Sequence, residues 1–289
     1  MDLSVVLPAY CAEEFIAGRL GVLADYLQVV GLTYEILVVD DGSTDGTASA
    51  VTALQRRHVR LIRLASNRGK FGALKAGIAR ARGRCCVVLD ADVPYEPCAI
   101  GYMARQVLER RFHVVVGDRT LPGSRYGEEQ TLLRRLLTRL FSLLVRLFHT
   151  AGVADTQCGI KAFRQDVASE LFPLLHEERF AGDLELLYIA LKYNLEVKRV
   201  PVRLVYQGRS SVHPFRDGPR LCLALALVRV RYALGRYENS CLTKLMLQDY
   251  WNDRGPATIP PARQRRARGQ GLRGAGPVQG EPRDSSPTR

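Results

Sequence analysis

No apolar run in the 289 residues reaches the roughly 20 positions that a bilayer-spanning helix needs, so no segment is expected to cross a membrane. The seven cysteines include no C-x-x-C pair and are odd in number. That pattern suggests neither a zinc site nor a disulfide framework, and it points to a reducing cytoplasm. No G-x-G-x-x-G follows the first strand-like run and no P-loop is present, which argues against a dinucleotide fold and a Walker-type ATPase. No internal repeat is visible. A charged and apolar leader is also missing: Met1-Asp2 runs straight into Leu3-Ser4-Val5-Val6-Leu7, so no signal peptide is expected. Acidic residues are in deficit, 29 against 42 Lys and Arg, leaving a net charge of +13. A surplus of that sign implies an anionic counterpart: nucleic acid, anionic lipid or a phosphorylated substrate. Nucleic acid ranks last among these, because aromatic platforms interleaved with basic residues are lacking, and no specific nucleic-acid partner is expected.

What is present is an ordinary globular balance, 47% hydrophobic and 25% charged. Strand-like runs alternate with helical patterns through the first half. Leu3 to Leu7, Glu35 to Val39, Val59 to Leu64, Cys85 to Leu89 and His113 to Gly117 read as strands. Helices are expected over about 13–30, 46–57 and 70–82, the second capped by Thr44 or Asp45 and the third closed by Gly83. Strands separated by single helices build a parallel α/β sheet. From Arg254 onward the chain is rich in Pro, Gly and Arg without apolar periodicity, and it reads as a disordered basic tail.

The pattern turns on Cys85-Cys86-Val87-Val88-Leu89-Asp90-Ala91-Asp92. An apolar run of this kind suits a strand buried on both faces. At period two, Asp90 and Asp92 leave it on the same side, so their carboxylates converge. Two anions so close call for a cation, and a hard divalent ion such as Mg²⁺ or Mn²⁺ takes oxygen ligands while keeping positions free for phosphate oxygens. An isolated Asp-x-Asp is as readily a polar turn. Here, however, other polar residues fall at strand ends: Pro8 and Tyr10 after the first, Asp40 and Asp41 after the second, Asn67 to Lys70 after the third. Ligands of open α/β sheets bind beyond those carboxyl ends. Asp40 can accept hydrogen bonds from a base or ribose. Lys70, at a helix start, adds charge to backbone donors that favour a diphosphate.

Val6 to Tyr10, Val38 to Thr47, Asn67 to Lys70 and Leu89 to Asp92 together resemble the family 2 glycosyltransferases of the GT-A fold. The resemblance implies a Rossmann-like, mostly parallel mixed sheet flanked by helices. It also implies a nucleotide-sugar site formed by Pro8, Tyr10, Asp40, Asp41, Lys70 and Asp90, and a metal on Asp90 and Asp92. Asp155 to Phe163, Phe180 to Ala190 and Arg231 to Gly235 are similar to blocks of the dolichyl-phosphate β-glucosyltransferases. That likeness runs from about Leu3 to Tyr237 and implies a polyprenyl phosphate acceptor. On this reading 1–240 is the glycosyltransferase domain, 241–253 extends it and 254–289 is the tail. Arg119, Arg125, Lys161 and Arg209 are the candidates to hold the acceptor phosphate. Asp92 is expected to be catalytic, and Asp183 sits where relatives with hydroxyl acceptors place a base. Two departures stand out. Pro94 occupies the place of a polar Gln, so water substitutes for a third protein ligand. Ser211 occupies the place of a Lys, with Arg209 to supply the charge.

A physical pattern adds a membrane. In 131–149, Arg135, Arg139, Ser142, Arg146 and His149 form one narrow stripe on a helix that is otherwise apolar, and Leu221 to Tyr237 has a similar character. Helices of this kind are deeply buried, or lie in a bilayer interface with arginines meeting lipid phosphates. The expectation is transfer of a sugar, glucose favoured, from a nucleotide-sugar, UDP-linked over GDP-linked, with inversion. It would occur at the cytoplasmic face of a membrane, the protein being peripheral. The alternatives are a family 2 enzyme acting on a hydroxyl, with Asp183 a true base, and a sugar nucleotidyltransferase.

Overall fold

The computed structural model describes residues 1–124, 155–179, 181–205 and 214–254, with the side chains of 214–222 and 250–254 left aside. Seven strands form one sheet: β1 (Leu3–Ala9), β2 (Tyr34–Asp40), β3 (Val59–Arg63), β4 (Cys85–Leu89), β5 (Val114–Asp118), β6 (Ile160–Arg164) and β7 (Val197–Pro201). Their spatial order is β3-β2-β1-β4-β6-β5-β7. The first four strands in that order run parallel. β6 opposes both its neighbours, and β7 is parallel to β5. The sheet is therefore mixed and mostly parallel, as expected: the five strands read from the spacing of the first half run in one direction, and β6 is the strand that opposes them.

Every residue of β2, β4 and β5 is buried, as their unbroken apolar runs require when helices cover both faces. Period-two alternation sorts the side chains into two cores. Leu3, Val5 and Leu7 meet α1 (Ile16–Val29) and α4 (Cys98–Leu108) on one face. Val6, Leu37, Val39, Cys86 and Val88 meet α3 (Lys70–Ile78), α5 (Gln165–Leu171) and α6 (Gly182–Lys192) on the other. α2 (Thr47–Ala53) begins where Asp45 accepts hydrogen bonds from the Thr47 N–H and hydroxyl. Gly83 does not close α3, which ends at Ile78; its N–H instead donates to Ser4 Oγ beside the start of β4.

Two further helices follow β7: α7 (Pro214–Ala233) and α8 (Ser240–Arg254). Asn239 Oδ1 accepts the N–H groups of Cys241 and Leu242, an N-cap that fixes where α8 starts. Asp249 of α8 is bound by His113 Nε2 and Arg164, which ties the helix to the edge where β5 begins and β6 ends. Along α7, Ala224, Leu225 and Val228 are buried while Leu223, Leu227 and Val230, with Leu234 just past the helix end, are exposed, at spacings of four, three and four. No helix among the described residues is long and apolar enough to cross a membrane. The Leu-rich segment 131–149 lies outside the described residues, as do Arg125, Phe180, Arg209, Ser211 and the tail beyond Arg254.

Candidate active site

The polar residues singled out at strand ends gather along one edge of the sheet. β1 delivers Pro8 in register with Val39, and Tyr10 beyond it is half exposed. β2 ends on Asp40, fully buried, which accepts the Ser43 N–H at 2.9 Å and has Arg63 Nε at 3.3 Å. Asp41 serves the backbone, accepting the N–H groups of Arg68 and Gly69, both at 2.8 Å. Burial nonetheless holds its carboxyl above the usual range, those two bonds offsetting only part of the effect. Gly69 makes this loop possible, with φ +85°, a region where a side chain is strained.

The loop delivers Lys70 at the first position of α3. The backbone donors expected to join it in holding a diphosphate are already engaged, however: the Phe71 and Gly72 N–H groups point to Glu178 O at 2.8 and 3.4 Å. Lys70 Nζ lies 2.7 Å from Asp90 Oδ1 and 3.8 Å from Asp183 Oδ2. Burial alone would lower the lysine's pKa, but the two carboxylates outweigh it and hold the ammonium far above its ordinary value.

β4 ends at Leu89, and Asp90 and Asp92 follow in a turn, where the strand's period of two no longer governs their side chains. Burial, and then the neighbouring Asp90, push the Asp92 carboxyl above the usual carboxylate range. The turn closes with the Val93 N–H on Asp90 O, and Val93 takes φ +45°, a strained conformation for a β-branched residue. Asp90 is seated from behind by Gly159, where any Cβ would collide with Oδ2. Tyr95, buried, receives the Gly159 N–H on its hydroxyl at 3.0 Å and so fixes that seat. Gly159 falls within the Asp155 to Phe163 motif; Tyr95 carries no signal in the sequence.

β6 brings Lys161 into the same neighbourhood. It is 1% exposed and donates to Cys158 O at 2.7 Å and to Asp183 Oδ1. Asp183, at the start of α6, is 3% exposed, and its Oδ2 is buried without a hydrogen bond. Arg119, after β5, grips Asp155 with Nε and Nη2 at 2.7 and 2.8 Å, and this pairing outweighs burial to hold the Asp155 carboxyl below its ordinary range. Of the four cations expected at an acceptor phosphate, the structure thus places Lys161 in a buried ion pair and Arg119 in a half-buried one. Pro94, in the place of the polar Gln, is buried with its carbonyl on the Val205 N–H.

Solved structures with the same layout are sugar-transferring synthases. Mannosyl-3-phosphoglycerate synthase from Rubrobacter xylanophilus superposes with a TM-score of 0.60 at 20% identity, over 83% of this chain and 77% of that one. Glucosyl-3-phosphoglycerate synthase from Mycobacterium tuberculosis, crystallised with Mn²⁺, UDP-glucose and phosphoglyceric acid, gives 0.60 at 20% identity, over 83% and 81%. The fold is thus that of the GT-A glycosyltransferases. The profile of glycosyl transferase family 2 matches residues 4–172, and the chain belongs to that family. Among curated relatives, the dolichyl-phosphate beta-glucosyltransferase of Dictyostelium discoideum is 33% identical over 82% of this chain and 76% of its own length. The Homo sapiens enzyme of the same name is 32% identical over 82% and 78%.

Proposed function

We propose that this glycosyltransferase moves glucose from UDP-glucose to dolichyl or another polyprenyl phosphate, with inversion at the sugar carbon. The relatives' shared name supports the acceptor, and the observation in this molecule that carries it is the cover over Asp183. One oxygen of that carboxylate is taken by Lys161 and the other faces Lys70, both within a buried pocket. A base for an alcohol acceptor must reach the hydroxyl proton at hydrogen-bond distance. A phosphate monoester, with a second pKa of about 6, arrives already ionised near neutral pH and needs no such base.

Asp90 and Asp92 fit a divalent ion. Both are hard oxygen donors, and burial, with the neighbouring Asp90 second, raises the Asp92 carboxyl above its usual range, a charge that a cation would stabilise. No third His, Cys, Asp or Glu joins them in a metal-ligating group among the described residues, which leaves positions for donor oxygens and water. Bound there, Mg²⁺ or Mn²⁺ would neutralise charge on the diphosphate. The chain's own residues do the rest. Asp40, rigid at the end of β2, holds the nucleoside with Tyr10 and Pro8 beside it, while Asp41 keeps the loop that carries Lys70. Arg119 is assigned to the acceptor phosphate together with Arg125 and Arg209, and Lys161 serves it indirectly, through Asp183.

The exposed stripe Leu223, Leu227, Val230 and Leu234, on a chain of net charge +13, suits the interface of an anionic membrane leaflet. Arg231 is not part of that face, since it pairs with Glu177 at 2.7 Å. We assign the protein to the cytoplasmic surface of the membrane that holds its lipid acceptor. The deciding assay offers labelled UDP-glucose at saturating Mn²⁺ with dolichyl phosphate or with hydroxyl acceptors, to wild type and to Asp183→Asn. Transfer to dolichyl phosphate is expected from both; transfer to a hydroxyl acceptor alone, lowered about 10²–10⁴-fold in Asp183→Asn, the worth of a general base, would return the hydroxyl-acceptor reading.

A further inference from the structure

Six charged groups act on one another at the end of β4: the cations of Lys70, Lys161 and Arg19 and the carboxylates of Asp90, Asp92 and Asp183. Together they are neutral, so a divalent ion added to the set turns it positive. Four of them are held in place. Asp90 is backed by Gly159, and Asp183 is fixed through Lys161, which is itself fixed on Cys158 O. Asp92 follows in the turn that Val93 closes. Lys70 stands at the tip of a flexible four-carbon stem, with 26% of its side chain exposed. It touches Asp90 Oδ1 at 2.7 Å and stands 3.8 Å from Asp183 Oδ2, the buried oxygen that has no hydrogen bond.

We propose that Lys70 is a resident cation that occupies Asp90 until metal arrives, and that Asp183 is the positioning residue that receives it. A shift of about 1 Å brings Nζ within hydrogen-bond distance of Asp183 Oδ2 and frees Asp90 Oδ1 for the ion. This gives the vacant oxygen of Asp183 a partner and draws a like charge back from the oxygen the metal would take. The excess positive charge that remains is matched by the donor diphosphate, so metal and nucleotide-sugar favour one another's binding. The inference rests on the placement of the metal at Asp90 and Asp92 given above.

Manganese binding to the full chain without donor, followed by the electron paramagnetic resonance of free Mn²⁺, tests the exchange without any turnover. Lys70→Met removes the competitor and should bind Mn²⁺ at least about fivefold more tightly than wild type. Lys70→Gln repeats the measurement with a polar side chain. Asp183→Asn takes away the receiving charge and should weaken binding by a similar factor, while Asp92→Asn should abolish it. Equal or weaker binding by both Lys70 variants, with wild type binding and Asp92→Asn not, overturns the exchange and leaves the metal site standing. Failure of wild type to bind Mn²⁺ with or without UDP removes the metal site and the exchange together.

Discussion

Where β1 and β2 begin, Glu35 is 3% exposed and each of its oxygens is matched: Oε1 accepts from Ser4 Oγ at 2.7 Å and the Arg82 N–H at 2.8 Å, Oε2 from Arg60 at 2.8 Å. Where β4 ends, Asp183 is equally buried, yet Oδ2 has no hydrogen bond and Asp92 is crowded by Asp90. Buried polar groups normally find partners, because an unmet one costs about 1–3 kcal/mol. The first edge obeys that rule and contributes to folding. The second departs from it, which is the sign of a place completed by something the chain itself does not contain.

The largest effect that tests this contrast is on catalysis. Asp92→Asn should lower glucose transfer by about 10²–10³-fold or more. It should also raise the melting temperature of the metal-free protein, since a crowded charge disappears; a lower melting temperature would erase the distinction between the edges. Next in size, Glu35→Ala should cost about 3 kcal/mol in denaturant unfolding while leaving transfer per folded molecule unchanged. The two carboxylates should also respond to acid with opposite signs. Burial opposes the charge on Glu35, but Ser4, the Arg82 N–H and Arg60 outweigh it, so its folded pKa lies below its unfolded value. Its contribution is present above about pH 4.3 and is lost as pH falls through the folded pKa. Asp92, raised in the folded state, destabilises above its folded pKa, and that cost is relieved as pH falls through it. Urea midpoints between about pH 3 and 7 should show Glu35→Gln flattening the acid decline and Asp92→Asn steepening it. The smallest effect lies outside both edges: Leu227→Glu should reduce flotation with anionic liposomes by several-fold and leave the melting temperature within about 2 °C.

The first four strands are legible in the sequence because their apolar runs are continuous and each ends abruptly in polar residues. Asp90 and Asp92 are marked in the sequence only by the place where the apolar run stops: they lie beyond β4 in a turn, so the period-two argument does not reach them. The reversal of β6 is not legible. Ile160 to Arg164 is short, and nothing in five residues encodes which way its neighbours run. Nor does the sequence disclose that Lys161 and Asp183 neutralise each other, because they lie 22 positions apart and meet only through tertiary packing. Lys70 does stand at the strand ends, as its motif implies, but without the helix amides expected beside it. Glu178, more than a hundred residues away, takes the donors that local reasoning leaves available.

β5 finishes at Asp118 on the edge where β6 starts at Ile160, because the two strands run in opposite directions. The connection between them therefore leaves and re-enters the sheet at one rim, the rim that carries Asp90. Its two ends are committed there, Arg119 to Asp155 and Gly159 to Asp90. Exchange confined to 125–154 would spare both commitments, a route by which a lineage, or a protein engineer, could vary the acceptor side and keep the donor side.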